Sequence, residues 1–304
     1  MATLLNTPGA PGQRGPHEAI VASWDGDPSF RTWDKNPVRS IAPLHLWHLC
    51  SLDAPAVAIT WAWSFAWAAH VPLRPWAAAA LGLIVFAIYI ADRLLDVRSG
   101  KHDLRERHFF HWRHRRVLLP IAVLAALAAA AMVWMQLPER SVRPDSLVAA
   151  ATLLWLGSVH ISRKPFASLR RRFYAIIVGT LFTIGCALPA CSQLAVFHSL
   201  TQFLKLPLTP ILACAALAAL NLQAIHDWES RPEGRIRRAA ILLALASLAL
   251  AIFAQPRSAA LLTAVACSAL LLALLDRLRP HLAPLTLRAA ADLVLLTPLA
   301  LLFR

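Results

Sequence analysis

Acidic residues are scarce in this sequence. Its 304 residues include 16 Asp and Glu against 30 Lys and Arg, a formal net charge of +14, and charged residues of both signs make up only 15% of the chain. Hydrophobic residues make up 58%, which is too apolar for an ordinary soluble domain of this length. The shortage of charge therefore argues against a water-soluble fold and predicts a membrane protein.

Several motifs of common enzymes are also missing. No Gly-rich phosphate loop, HExxH or GxSxG motif occurs, and there is no evident internal repeat. The five cysteines form no CxxC pair and lie in or beside apolar segments, where Cys is typical as a small apolar residue. We therefore expect any chemistry to come from loops and helix ends.

The apolar residues are grouped in stretches that approach the length of a membrane-spanning helix, which needs about 20 residues. There are nine of these stretches, at roughly 44–69, 75–91, 117–137, 146–162, 173–190, 206–225, 239–254, 259–275 and 289–303. They predict an all-α, polytopic membrane protein with about nine transmembrane helices in one bundle, formed by residues 44–304. Residues 1–43 are rich in Pro, Gly and charge, which predicts a largely disordered cytoplasmic tail.

The positive charges alternate between the two ends of these stretches. The N-terminal segment and the connections after the second, fourth, sixth and eighth stretches hold 24 of the 30 Lys and Arg, and the remaining connections and the C-terminus hold 6. Cytoplasmic loops retain Lys and Arg, so we predict an integral protein of the inner or plasma membrane with its N-terminus inside and its C-terminus outside. The pI of about 11.0 then indicates contact with anionic membrane lipid, and we predict no nucleic-acid partner.

The few acidic residues are concentrated in two of the cytoplasmic connections. These connections contain seven of the 16: Asp92, Asp96, Asp103, Glu106, Asp227, Glu229 and Glu233. Asp92 and Asp96 are four residues apart at the end of the second apolar helix, so both carboxylates project from one face. Such a pair can share Mg²⁺, which is commonly held by one or two carboxylates and a substrate phosphate. The alternative is that the pair only offsets Arg93, Arg98 and Lys101 at a wet helix end.

Five segments in order resemble the UbiA-type intramembrane prenyltransferases, a likeness that covers most of the chain from about residue 51 to 303. SerLeuAspAlaPro is similar to the family's RxDKP entry to its first helix, and IleTyrIleAlaAspArgLeuLeuAsp is similar to its first aspartate motif, NDxxDxxxD. SerArgLysPro resembles its basic turn, GlyThrLeuPheThrIleGly its glycine-containing fifth helix, and AsnLeuGlnAlaIleHisAspTrpGluSerArg stands where its second aspartate-rich motif belongs. In this sequence the five segments are residues 51–55, 88–96, 162–165, 179–185 and 221–231.

The resemblance implies transfer of an isoprenyl group from a prenyl diphosphate to a lipophilic acceptor, usually an aromatic one, inside a helical bundle. It also implies Mg²⁺ as the cofactor. The residues that it assigns to metal are Asp92, Asp96 and Asp227. The residues expected to meet the substrate are Arg93, Lys101, Arg163 and Lys164, with Asn221 either lining the cavity or bonding a neighbouring helix.

The motifs also depart from the family pattern. Ile88 and Tyr89 replace the leading Asn and Asp of the first motif, Ser51 replaces the entry Arg, and Arg231 stands where the second motif has another Asp. Glu229, Glu233 and Asp103 are candidates to supply the missing ligands. The departures motivate a second hypothesis, that the chain is a catalytically silent or repurposed relative that binds an isoprenoid lipid or a partner. An unrelated transporter is a third hypothesis.

Two further groups of polar residues each allow two interpretations. His108, His111 and His114 recur every three residues, which suits either a metal site or an interfacial segment whose aromatic residues face the acyl chains and whose arginines face headgroups. We favour the interfacial interpretation. Asp292 lies inside the ninth stretch, where an ionisable residue is costly and marks a functional candidate; the alternative is pairing with Arg288, four residues earlier.

Overall fold

Helices account for all the regular secondary structure in the part of the chain that the computed structural model describes. That part comprises residues 43–98, 105–137, 139–161, 167–194, 206–230 and 236–302, and it contains no strand. The all-α prediction is therefore confirmed for these residues. The predicted tail, apart from residue 43, lies outside them.

The helices within these ranges are numbered here in chain order. They are α1 Pro43–Leu49, α2 Asp53–Ala68, α3 Pro75–Arg98, α4 Glu106–Arg113, α5 Arg115–Gln136, α6 Glu139–Ile161, α7 Ala167–Leu194, α8 Leu208–Ser230, α9 Ile236–Ile252, α10 Pro256–Leu278, α11 Pro284–Leu293 and α12 Leu299–Leu302. A 3-10 turn, Arg279–His281, follows α10, and a second one, Val294–Leu296, joins α11 to the last residues.

Six segments of the described chain are long and apolar enough to cross a membrane. They are Pro75–Arg98, Arg115–Gln136, Phe173–Leu194, Leu208–Glu229, Pro256–His281 and Pro284–Leu301. This is compatible with an integral membrane protein. The count of nine spans is not confirmed, because three of the nine apolar stretches fall outside this set.

Those three stretches do form helices, but they give shorter apolar segments. The first is divided between α1 and α2, and α2 has 16 residues, which is about 24 Å at 1.5 Å per residue and less than the ~30 Å of a hydrocarbon core. α9 has 17 residues. α6 begins with Glu139, Arg140, Arg143 and Asp145, so its apolar portion starts only after Asp145.

Large apolar side chains are exposed along the outer faces of several helices. On α5, Leu124 and Leu127 are each more than half exposed, and Trp134 near its end is 90% exposed. On α9, Leu242 and Leu245 are also more than half exposed. A soluble monomer rarely exposes continuous apolar surface of this kind, whereas helices that face lipid do.

The short helix α2 lies at the centre of the bundle. It contacts α3, α7, α10 and α11, and Trp61 and Phe65 on it are 1% and 0% exposed. The indole Nε1 of Trp61 donates a hydrogen bond to the carbonyl oxygen of Leu295 at 3.0 Å, which satisfies the polar atom of this buried ring. The central position explains why α2 is apolar without being long enough to span a bilayer.

A sharp turn separates α1 from α2. Ser51 has a φ of 57°, a left-handed conformation that is uncommon for a residue other than Gly. Its Oγ lies 3.1 Å from Nε2 of His111. Nδ1 of the same ring lies 2.7 Å from the carbonyl oxygen of Arg107. Because a backbone carbonyl only accepts, Nδ1 carries the proton, and Nε2 accepts from the Ser51 hydroxyl. This pair of bonds fixes α4 against the turn.

His108 and His111 on α4, and His114 directly after it, have different partners. Nε2 of His108 lies 3.4 Å from Asp96 Oδ2, His111 bonds to Ser51, and Nδ1 of His114 lies 2.9 Å from the carbonyl oxygen of Phe110. The rings do not converge on one point, in agreement with the interfacial interpretation. Arg113, Arg115 and Arg116 are exposed, as that interpretation expects, although Phe109 is buried inside the protein.

The backbones of α7 and α8 approach each other closely at Gly179. A Cβ atom on Gly179 would lie 2.6 Å from the backbone nitrogen of Ala219 and 3.2 Å from the carbonyl oxygen of Ala215. Neither of these backbone atoms can move without shifting α8. Gly185, two turns later on α7, has nothing within 4 Å of the same position.

We predict that Gly179→Ala destabilises the protein by about 1–3 kcal/mol, because the added methyl group forces α7 and α8 apart. Gly185→Ala is the matched control, and its better helix propensity makes it neutral or up to about 1 kcal/mol more stable. The measurement is thermal unfolding of both variants in the same detergent. Equal melting temperatures for the two variants would contradict the close packing.

Candidate functional site

A cavity of about 740 Å³ lies between α2, α3, α5, α6, α7, α8 and α11. Its wall is formed mainly by apolar side chains, including Val57, Leu81, Ile88, Phe182 and Leu222. Cavities of this size accommodate a small or medium-sized organic ligand and typically combine an apolar wall with a few polar groups that fix its orientation.

The polar residues of the cavity wall are grouped at its two ends. At one end the lining residues come from the last turns of α3, the start of α7, the second half of α8 and from α11: Tyr89, Asp92, Arg93, Tyr174, Asn221, Arg288 and Asp292. At the other end they come from the start of α3, the start of α6 and the end of α7: Arg74, Trp76, Asp145, Ser192 and Gln193. From Trp76 to Asp92 along α3 the distance is about 24 Å at 1.5 Å per residue. The first set is called the charged end below.

Asp92 and Asp96 meet His160 of α6 beside the charged end. Nε2 of His160 lies 3.1 Å from Asp92 Oδ1, and its Nδ1 lies 3.6 Å from Asp96 Oδ1. One ligand atom from each of the three residues lies within 4.8 Å of the others. This is the α3–α6 group, and its two carboxylates fit the oxygen preference of Mg²⁺, while the imidazole also suits a transition metal.

Arg93 lies beside this group and is 7% exposed. Its guanidinium carbon is 5.7 Å from the centre of the Tyr89 ring. Within the described residues its Nε has no hydrogen-bond partner, although the atom is buried. A buried guanidinium nitrogen without an acceptor is costly, and an anionic ligand at the charged end would supply one.

A second polar group lies where α1, α2 and α11 meet. Nδ1 of His48 is 2.5 Å from Asp53 Oδ2 and 3.6 Å from Asp292 Oδ2. Asn221 of α8 donates from Nδ2 to Asp292 Oδ1 at 3.2 Å. Ligand atoms of His48, Asp53 and Asp292 also lie within 4.8 Å of one another. This second group is called the α1–α11 group.

Glu229 joins three elements above the charged end. Its Oε1 accepts from Nη1 of Arg107 at 2.9 Å and from Nη1 of Arg288 at 2.8 Å, and its backbone carbonyl accepts from Arg105 at 3.0 Å. The sequence suggested Glu229 as a substitute metal ligand and Arg288 as a partner of Asp292. The structure instead pairs Glu229 with Arg288, while Asp292 contacts His48 and Asn221.

The structure brings some of the predicted site residues together and separates others. Asp92, Asp96 and Arg93 lie side by side. Asp227 joins neither metal-type group of the described chain; its Oδ1 accepts from Nε2 of Gln223, one turn earlier on α8, at 2.7 Å. Asn221 lines the cavity and contacts Asp292. Lys101, Arg163 and Lys164, with Asp103 and Glu233, lie outside the described residues.

Sequence reasoning did not select His160 or His48. Each stands at the end of an apolar helix with no carboxylate or cysteine at a helical spacing on the same side, so no local pattern marks it. The one signal available was position: His160 falls at the same predicted membrane face as Asp92, and His48 precedes Asp53 by little more than one helical turn.

Neither the protein-family models, nor the curated proteins, nor the solved structures include a match to this chain.

We predict that acidification weakens the bundle through His111. The pKa of its ring is lowered from 6.5 to about 4, mainly by burial. The hydrogen bond to the Arg107 carbonyl raises this pKa, and the charges of Arg93, His108 and His48 lower it. The folded state thus holds His111 neutral while the unfolded chain binds a proton below pH ~6.5. Its contribution to stability is present above that pH and is lost as pH falls from about 6.5 toward 4.

Between pH 7 and pH 5 we expect wild type to lose on the order of 1–2 kcal/mol more stability than His111→Gln. The exposed His114 supplies the control, since His114→Gln should retain the wild-type pH dependence. Thermal unfolding at a series of pH values measures both differences. Parallel curves for wild type and His111→Gln would show that the ring does not titrate as described.

Proposed function

We propose that this protein is a membrane-embedded prenyltransferase that moves an isoprenyl group from a prenyl diphosphate to a lipophilic acceptor. The observation that carries the proposal is the charged end of the 740 Å³ apolar cavity, where Asp92 and the buried Arg93 both line the wall. An apolar chain with a single anionic head matches such a cavity, because the chain fills the wall and the head meets Arg93.

The cation requirement of a diphosphate fits the residues beside that end. Asp92 and Asp96 supply two carboxylates close enough to share one ion, and these would hold Mg²⁺ with His160 as their neighbour. When bound, the ion would neutralise charge on the diphosphate. The mixed nitrogen and oxygen donors also make Mn²⁺ a suitable ion here.

The chain's own residues account for the other requirements of the reaction. The bond between the first prenyl carbon and the diphosphate oxygen breaks with its electron pair going to the diphosphate. A new bond forms from the acceptor to that carbon, and the acceptor loses a proton to the released diphosphate. Arg93 stabilises the charge that develops on the leaving group. The apolar wall excludes water from the allylic cation.

A second candidate function is binding of an isoprenoid lipid without transfer. Two observations favour it: Asp227 is bonded to Gln223 away from the α3–α6 group, and Glu229 is held by Arg107 and Arg288. The second acidic segment therefore adds no carboxylate to the first group in the described chain. Such a binder would recognise the apolar chain and would not depend on a divalent ion.

The test is binding of farnesyl and geranylgeranyl diphosphate to the detergent-solubilised protein, with and without Mg²⁺. We expect Mg²⁺ to tighten binding at least about tenfold, which corresponds to 1.4 kcal/mol. Asp92→Asn should remove this gain, and Arg93→Gln should weaken diphosphate binding by a similar factor. Asp227→Asn is the matched control on the second segment and should leave binding within about twofold.

Farnesol distinguishes the two candidates because it has the chain without the charge. A transferase should prefer the diphosphate, and product should then form with a panel of aromatic and other lipophilic acceptors. Equal binding of farnesol and farnesyl diphosphate, with no effect of Mg²⁺ or of Asp92→Asn, would reject the transferase and support the lipid binder.

A further inference from the structure

The α1–α11 group places three metal-type ligands from three helices around one point. His48 ends α1, Asp53 begins α2, and Asp292 lies on α11, yet ligand atoms of all three lie within 4.8 Å of one another. Nδ1 of His48 lies 2.5 Å from Asp53 Oδ2 and 3.6 Å from Asp292 Oδ2. A single ring nitrogen therefore faces both carboxylates.

His48 is the partner of both carboxylates in the described chain, so a neutral His48 leaves their negative charge uncompensated. His48 and Asp53 are each 4% exposed, and two carboxylates this close repel each other when both are ionised. The guanidinium of Arg288 lies one helical turn from Asp292 on α11, but its Nη1 contacts Glu229 at 2.8 Å. A bound cation or a shared proton is needed to hold Asp53 and Asp292 together.

Asn221 offers a further donor beside the group. It is 3% exposed, its Nδ2 contacts Asp292, and its Oδ1 has no hydrogen-bond partner among the described residues although it is buried. The two ends of an amide side chain exchange on a half-turn of its last torsion. That rotation would direct the unpartnered oxygen at the group as a fourth donor.

We propose that His48, Asp53, Asp292 and Asn221 form a second divalent-metal site, separate from the α3–α6 group. One imidazole nitrogen with carboxylate and amide oxygens suits Zn²⁺, Mn²⁺ or Fe²⁺ better than an ion that requires oxygen alone. The inference does not depend on prenyl transfer, since it uses none of the residues assigned there to the diphosphate.

The proposed site is open toward the large cavity, which gives an ion a route to it. Asp292 and Asn221 both line the large cavity, together with Ala54 next to Asp53. A metal held by these side chains would have its remaining coordination positions toward the cavity, as catalytic sites do. The ligand class that would complete the coordination is a lipophilic molecule bearing a hydroxyl or carbonyl oxygen.

The test uses Co²⁺ as the probe, because it accepts the same donors as Zn²⁺ and is visible by its absorption. The full chain, stripped with a chelator in detergent, carries Asp92→Asn and Asp96→Asn so that the α3–α6 group is disabled. We expect this protein to bind about one equivalent of Co²⁺, with absorption bands that a free aqueous ion lacks. Adding Asp292→Asn should weaken Co²⁺ binding at least tenfold, and adding His48→Gln should change the absorption bands as well.

Asp145→Asn is the matched control, since Asp145 is a carboxylate at the opposite end of the same cavity, and it should leave Co²⁺ binding unchanged. Absence of bound Co²⁺ in the disabled background, or binding that neither Asp292→Asn nor His48→Gln alters, would overturn the proposal and leave a shared proton between the carboxylates. A rise in melting temperature on adding Zn²⁺ provides a second readout that needs no α1–α11 variant; no rise would likewise count against the site. Prenyl diphosphate binding is measured without these metals, so the two proposals fail separately.

Discussion

The burial of α2 in the middle of the bundle determines where the polar groups lie. Trp61 and Phe65 fix this short helix among its neighbours, and their burial places its first residue, Asp53, inside the protein. A carboxylate there needs a partner, and the sharp turn at Ser51 returns α1 so that His48 provides it. The same turn receives α4 through His111. A packing requirement of two aromatic rings thus leads to a polar centre beside the cavity.

The region above the charged end depends on one carboxylate shared by two arginines. Glu229 on α8 holds Arg107 of α4 and Arg288 of α11, so that three elements distant in sequence are joined over the cavity. Removal of Glu229 would leave two half-buried guanidinium groups without this carboxylate partner, which is costly. Glu229, which the sequence suggested as a substitute metal ligand, therefore has two guanidinium partners through its Oε1.

Local periodicity in the sequence was sufficient for part of this structure. The helices were predictable from apolar runs, and Asp92 with Asp96 were predictable as a pair because four residues make slightly more than one helical turn. Nine spans are not confirmed, since six segments of the described chain are long and apolar enough to cross a membrane and apolar composition alone does not fix the length of each helix. The partners His160, His48 and Arg288 were not predictable, because each contact depends on how distant helices pack. The sequence also could not show whether Asp227 binds a metal or bonds to Gln223, one helical turn earlier on α8.

The large cavity has polar side chains at both ends. At the end away from Arg93, the indole Nε1 of Trp76 and Oδ1 of Asp145 are buried without a partner in the described chain. A hydrocarbon chain that reached this end could not supply the hydrogen bonds that these two atoms lack. For the proposed prenyl diphosphate, the separation of about 24 Å along α3 between the two polar ends would be the length over which an apolar tail meets mainly apolar side chains.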